Sequence, residues 1–284
     1  LTLHPEIAQD ELDAIIAVQD VANRLGMSIL LVGAGARCII FDWKYDLPRS
    51  RSTRDWDFAV LVDDWAHFEA LVDALKSPAG GSFRRSSPHK LEHTATRVQV
   101  DLIPFGAISS PDDEIAWPST GKVMSVLGLE EALHYAEHQD VRGRALKVAT
   151  IPTLTALKLI AYSDRRELRD LEDVHHILAN YSQYVDDDAV FDTITREDLE
   201  FVEAGAWVVG SAMAMCLTDR ATDAAVDVLL ALVSAGDKGP LVSLVPTNAP
   251  NWDAAFDDVV GLFRTLQAAL ERHRRAGSGP SNRS

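Results

Sequence analysis

The sequence predicts an α+β fold, a mixed β-sheet with flanking helices followed by a mainly helical C-terminal domain. Three observations predict it. Ser28–Val32 and Phe58–Val62 are short apolar runs that read as buried strands, and Val98–Ile103 closes a third, extended stretch. Around these runs, apolar residues recur at helical spacing. Beyond Pro118 the texture changes and long helical stretches take over. The predicted domains are 1–120 for the sheet and 121–276 for the helices, with 277–284 (Gly-Ser-Gly-Pro-Ser-Asn-Arg-Ser) a disordered tail.

Taken in order, residues 5–25 place Leu12, Ile15, Ile16, Ala22 and Leu25 at helical spacing, with Gly26 as the stop. The strand at 28–32 ends in Gly33-Ala34-Gly35-Ala36-Arg37, and 36–46 continues as helix. Pro48 to Arg54 forms a loop into the next strand. Trp65, Phe68, Leu71, Val72 and Leu75 share one face of a further helix, and 77–82 is a loop. Residues 91–103 read as extended, and alternation sets Asp101 opposite Val98, Val100 and Leu102. Past Pro118, Leu129–His138 reads as helix and 139–150 as a hairpin turning at Arg142-Gly143-Arg144. Pro152 suits a helix's first turn, and that helix reaches Arg166. Residues 166–180 continue or restart it, and three more helices span roughly 196–217, 220–235 and 252–275. No internal repeat is present.

Composition narrows the function classes. A net charge of −16 disfavours broad electrostatic capture of nucleic acid, although basic residues cluster at 49–54 and 84–90. No run approaches the ~18 apolar residues of a membrane span. The opening Leu-Thr-Leu-His-Pro-Glu lacks the basic and apolar regions of a signal peptide. Cys38 and Cys216 read as free thiols, and the expected compartment is a reducing cytoplasm.

The chemistry centres on Arg51-Ser52-Thr53-Arg54-Asp55-Trp56-Asp57 at the head of the Phe58–Val62 strand. Residues two apart on a strand share a face, so Asp55 and Asp57 lie side by side. Their repulsion is offset well by a hard divalent cation such as Mg²⁺, which takes oxygen ligands and keeps places for substrate phosphate. Asp101, on another strand, offers a third carboxylate, as two-metal phosphoryl or nucleotidyl transfer needs. The plainer alternatives are exposed turn carboxylates for the pair and a solvent-facing strand residue for Asp101. Gly33-Ala34-Gly35 after a strand admits three readings: a phosphate-contacting turn, a dinucleotide-cofactor turn, or a structural turn. Cys38 replaces the last glycine of the cofactor motif. Finally, Lys158, Tyr162, Arg165 and Arg166 share a helix face, with Asp170 and Asp173 one turn apart beyond them. A cation there suits a triphosphate, and the acids suit orienting it. An ordinary surface laced with i,i+4 ion pairs is the alternative. His134/His138 and His175-His176 lack a complete zinc ligand set and read as surface or core residues.

Together, Gly33-Ala34-Gly35, Arg51-x-Thr53-x-Asp55-x-Asp57 and Asp101 resemble the DNA polymerase beta-type nucleotidyltransferase superfamily. Lys158…Arg165…Arg169-Asp170-x-x-Asp173 narrows the resemblance to the AbiEii/AbiGii-type toxin nucleotidyltransferases, over roughly residues 28–180. The resemblance implies a nucleotidyltransferase-like sheet domain and transfer of a nucleoside monophosphate from an NTP such as ATP. It implies Mg²⁺ on Asp55, Asp57 and Asp101, with Asp101 the base-like carboxylate. Gly33, Ala34, Arg51, Ser52 and Thr53 would bind nucleotide, Lys158 and Arg165 its phosphates, and Asp170 or Asp173 would complete the catalytic set. The implied acceptor is RNA, at tRNA ends, the outcome is growth arrest, and the implied partner is a cognate antitoxin. Two other classes stay open: a nucleotidyltransferase acting on a small aminoglycoside-like acceptor, which an acidic chain suits, and a non-catalytic nucleotide-binding module.

Overall fold

The computed structural model describes residues 7–47, 55–184 and 187–277. Its contacts divide into two units, 1–150 and 151–284. In the first, helix α1 (Gln9–Arg24) buries Ala14, Ile15, Val18, Val21 and Ala22 on one stripe and hands over to the chain at Gly26, which has φ of +69°. Strand β1 (Ile29–Val32) is buried throughout. Helix α2 (Gly33–Arg37) follows without a loop and runs into a π-helical turn, Cys38–Asp42.

Strand β2 (Asp55–Leu61) and helix α3 (Trp65–Lys76) come next, α3 burying Phe68, Leu71, Val72 and Leu75 as its spacing predicts. The segment read as one extended stretch at 91–103 is two strands. β3 (Phe83–Arg85) pairs with β4 (Lys90–His93), and β4 turns into β5 (Gln99–Phe105). A small separate hairpin, β6 (Glu114–Ala116) and β7 (Val123–Ser125), precedes α4 (Leu129–His134), β8 (Glu137–Val141) and β9 (Arg144–Val148).

The seven-stranded sheet has the order β3-β4-β5-β2-β1-β9-β8. β1 is antiparallel to β2 and parallel to β9, and β2 is parallel to β5, so the sheet is mixed as expected. The parallel β2–β5 pair needs a long crossover, which α3 and the β3–β4 hairpin supply. Residues 121–150, which the change of texture assigns to the helical half, therefore supply two strands of this sheet. The helix read over 129–138 stops at His134, and His138 lies on β8. The reason is local. β8 is a polar edge strand, short of the alternation that marks a half-buried strand, and β9 is a five-residue strand between it and β1. The hairpin does turn at Arg142 and Gly143, with φ of 53° and 77°. Arg144 pins β9 to α1 through two hydrogen bonds to Asp20, at 2.6 and 2.8 Å.

The second unit is helical: α5 (Ile151–Arg165), α6 (Leu168–Tyr184), α7 (Asp187–Glu197), α8 (Phe201–Cys216), α9 (Asp219–Ser234) and α10 (Trp252–Gly277). α7 was not foreseen. α8 is the packing centre because its glycines let neighbours approach closely. A methyl group on Gly205 would lie 2.3 Å from Ser182 Oγ on α6, and one on Gly210 would lie 2.8 Å from the Leu266 carbonyl on α10. No single helix among the described residues is long and apolar enough to cross a membrane. Cys38 and Cys216 are free thiols.

Candidate active site

The first unit gathers three of the predicted acids. β2 carries Asp55 and Asp57 on the face opposite Trp56 and Phe58, whose side chains are almost fully buried. β5 lies beside it in parallel register, with Asp57 directly opposite Asp101. On the other side of β2, Val32 of β1 stands opposite Asp57, which brings Gly33 against that carboxylate. Asp101 is 14% exposed, and its Oδ1 is buried without a hydrogen-bond partner. Arg51, Ser52 and Thr53 lie outside the described residues.

The two glycines after β1 have a packing explanation that the sequence alone did not reveal. Gly33 has φ of +68°, and a Cβ there would lie 2.0 Å from Asp57 Oδ2. A Cβ on Gly35 would lie 2.7 Å from Trp56 Cε3. The first glycine thus leaves room for the carboxylate, and the second seats the neighbouring indole. Gly33→Ala is expected to push Asp57 out of place, in addition to about 1–2 kcal/mol of left-handed backbone strain. Gly121 is the control, since it has φ of +66° with nothing within 4 Å. Gly121→Ala should lower the melting temperature by the strain alone, and Gly33→Ala should lower it further and remove activity.

Lys90 completes the cluster and was not foreseen. It pairs with Asp101 across β4 and β5, its Nζ 2.9 Å from Asp101 Oδ2. Burial works against the ammonium, but the hydrogen bond and charge of Asp101, with Asp55 and Asp57 behind it, outweigh burial and raise its pKa. Beside it, burial pushes the His89 imidazole down against the pull of Asp101. The partnership comes from the antiparallel register of β4 with β5, which sets Lys90 opposite Asp101.

A cavity of about 380 Å³ adjoins the same hairpin, lined in part by Trp65, Arg85, Pro88 and Trp117. His89 stacks obliquely on Trp117 at 5.5 Å, and Arg85 is tied to Glu69. A second unforeseen pair is Arg37–Asp42, wholly buried with Nη1 3.0 Å from Oδ2. Its i,i+5 spacing fits the π-helical turn, where Trp43 N–H donates to the Cys38 carbonyl.

In the helical unit, Lys158 is buried between the two acids of the Asp-x-x-Asp helix. Its Nζ is 2.6 Å from Asp173 Oδ2 and 3.3 Å from Asp170 Oδ1, and Arg165 Nε reaches Asp170 Oδ2 at 2.7 Å. Arg166 does not share the face of Lys158, because at φ of 56° it has left the helix and its guanidinium lies over the Tyr162 ring. His175 of α6 is held neutral, its pKa pushed down to about 4 by burial and then by His176.

These features have a counterpart among known families. The family model described as "Nucleotidyl transferase AbiEii toxin, Type IV TA system" matches residues 43–271, well over half of the chain. The chain belongs to the AbiEii nucleotidyl transferase toxin family. It is a nucleotidyltransferase. No curated protein matches it. Solved structures similar to it include an antigenic nucleotidyltransferase-like protein from Paracoccidioides brasiliensis, 17% identical over 61% of this chain and 77% of that one, with a TM-score of 0.38. JHP933 from Helicobacter pylori is 13% identical over 95% and 97%, with a TM-score of 0.40. The antibiotic-resistance factor ANT(2'')-Ia is 11% identical over 95% and 100%, with a TM-score of 0.35. All three scores lie below 0.5, so the AbiEii match alone carries the family assignment.

Whether the AbiEii-type acids fit a divalent cation can be judged from the donors. All three are carboxylate oxygens, which hard cations prefer; Asp57 and Asp101 stand opposite each other, and one Asp101 oxygen has no partner. Gly33, which has no Cβ, leaves the room that the Asp57 carboxylate occupies. Among the described residues, no three His, Cys, Asp or Glu side chains already converge as a ligand group. The donor chemistry fits, and Asp55, Asp57 and Asp101 are the residues that would hold the ion.

Proposed function

We propose that this AbiEii-family enzyme transfers a nucleoside monophosphate from an NTP, in the presence of Mg²⁺, onto a hydroxyl of RNA, a tRNA end being the expected acceptor. The observation that carries the reading is the register of Asp57 against Asp101, with Gly33 leaving room for the Asp57 carboxylate. Asp55, Asp57 and Asp101 would hold the cation, and Asp101 also serves as the base-like carboxylate toward the attacking hydroxyl. When bound, Mg²⁺ neutralises phosphate charge and orients the triphosphate for in-line displacement. Gly33 and Ala34 lend backbone to the nucleotide, and Arg51, Ser52 and Thr53 contact its phosphates. Lys158 and Arg165 serve the nucleotide as cations, and Asp170 and Asp173 hold them in place. The products are the nucleotidylated acceptor and pyrophosphate.

One observation favours RNA over a small acceptor: the half-buried Trp65 lines the cavity beside the β3–β4 hairpin, and aromatic faces are what unpaired bases stack on. The basic residues of that hairpin are already paired, Arg84 with Glu92, Arg85 with Glu69 and Lys90 with Asp101. The acidic chain, at −16, favours instead a cationic acceptor such as an aminoglycoside. The deciding experiment offers total tRNA and an aminoglycoside panel with each α-labelled NTP and Mg²⁺. Label on tRNA supports the reading, and label on the small molecule overturns it for the acceptor. An antitoxin counterpart is proposed on the family's toxin–antitoxin description.

A further inference from the structure

We propose that Lys90 is a resident counter-ion of the carboxylate cluster, and that it sets the metal affinity of the site by opposing the incoming cation. The inference rests on the Mg²⁺ reading above and concerns how this chain tunes it.

The register places Lys90, Asp101 and Asp57 in one row across β4, β5 and β2. Like charges directly opposite on neighbouring strands destabilise a sheet, and opposite charges stabilise it. Asp57 and Asp101 are the unfavourable pair in that row, and Lys90 is the favourable neighbour. Its ammonium reaches Asp101 Oδ2 at 2.9 Å and leaves Oδ1 buried with no partner. The two oxygens of one carboxylate are thus divided, one held by the lysine and the other left for a ligand.

A divalent cation arriving on Oδ1 would find a fixed positive charge within a few ångströms. Charges that close interact appreciably even at the moderate effective dielectric of a partly buried site. Lys90 therefore stabilises the metal-free protein and weakens the metal-bound one. Binding becomes a partial exchange of one cation for another. If the lysine were only a strand-pairing residue, its removal would lower stability and leave metal affinity alone.

The test is Mn²⁺ titration by calorimetry, with thermal melts in chelator and in Mn²⁺, on the parent protein, Lys90→Met and Lys90→Gln. Lys90→Gln keeps a hydrogen-bond donor for Asp101 should Lys90→Met fold poorly. In chelator both variants should melt below the parent. Their Mn²⁺ dissociation constants should fall by about tenfold, and Mn²⁺ should raise their melting temperatures more than the parent's. Lys90→Arg should return both quantities to parental values. Equal or weaker Mn²⁺ binding by the variants, with the parent binding normally, would overturn the role of Lys90 and spare the metal reading. Absence of Mn²⁺ binding from parent and variants alike would remove both.

Discussion

Asp57→Asn is expected to lower nucleotide transfer by about 10²–10³-fold or more, the range seen when one preorganised electrostatic contact to the reacting group is removed. The substitution preserves shape and removes charge. Asp57 is flanked by Asp101 on one side and by the space at Gly33 on the other, so an amide fits where the carboxylate stood. An amide oxygen is a poorer ligand for a hard cation than a carboxylate. Initial rates with labelled NTP measure the loss, and melts of the same preparation establish that the variant is folded. Transfer at the parental rate would remove Asp57 from the mechanism.

Lys158→Met should destabilise the helical unit by about 3 kcal/mol, because breaking a buried ion pair from one side leaves its partner's charge uncompensated. The lysine side chain is 7% exposed, and Asp170 and Asp173 are 0% and 2% exposed. Arg165 still serves Asp170, and the variant loses the contacts of Lys158 with Asp173 and Asp170. Urea unfolding at neutral pH measures the change.

The pH dependence of the parent follows from the same helix. Burial alone would raise Asp170, but the hydrogen bond from Arg165 and the charges of Lys158 and Arg165 outweigh it, and the net shift is below 3.8. The unfolded chain therefore takes that proton first, and stability from Asp170 is complete above 3.8 and lost as pH falls below it. His175 acts earlier. Its pKa is about 4 in the fold against an ordinary 6.5, so the unfolded state binds the extra proton in between. Stability should decline as pH drops from 6.5 towards 4, then fall further. In Lys158→Met the second fall should be smaller and end at higher pH, because its onset at 3.8 belongs to the unfolded chain. Urea midpoints at several pH values distinguish these stages.

Much of this was legible in the residues. Unbroken apolar runs marked β1 and β2, whose strands are largely buried, and period-3.6 patterning marked α3, α5 and the long helices of the second unit. The Asp55/Asp57 pair was legible for the same reason, as two charges interrupting the start of an apolar strand. Asp101 was legible as a residue type, and only sheet order placed it opposite Asp57. The β8–β9 hairpin was legible as a hairpin, but that β9 pairs with β1 and so joins the sheet depends on a long-range contact that local sequence does not encode. Lys90 escaped notice because cross-strand partnership depends on register, which local sequence does not encode. The Arg37–Asp42 pair escaped because its spacing belongs to a π-helical turn. The role of Gly33 is steric, and the atom that requires it lies 24 residues away on another strand.

The central claim is that the acids of β2 and β5 catalyse nucleotidyl transfer, which breaks the bond between the α- and β-phosphates. The direct measurement supplies the protein with Mg²⁺, total RNA and NTP labelled at either the α- or the γ-phosphate, and follows label on the acceptor and in the released products. Label from the α-position on the acceptor, with matching release of pyrophosphate, is the predicted result. Label from the γ-position on the acceptor, or release of orthophosphate in place of pyrophosphate, would contradict it.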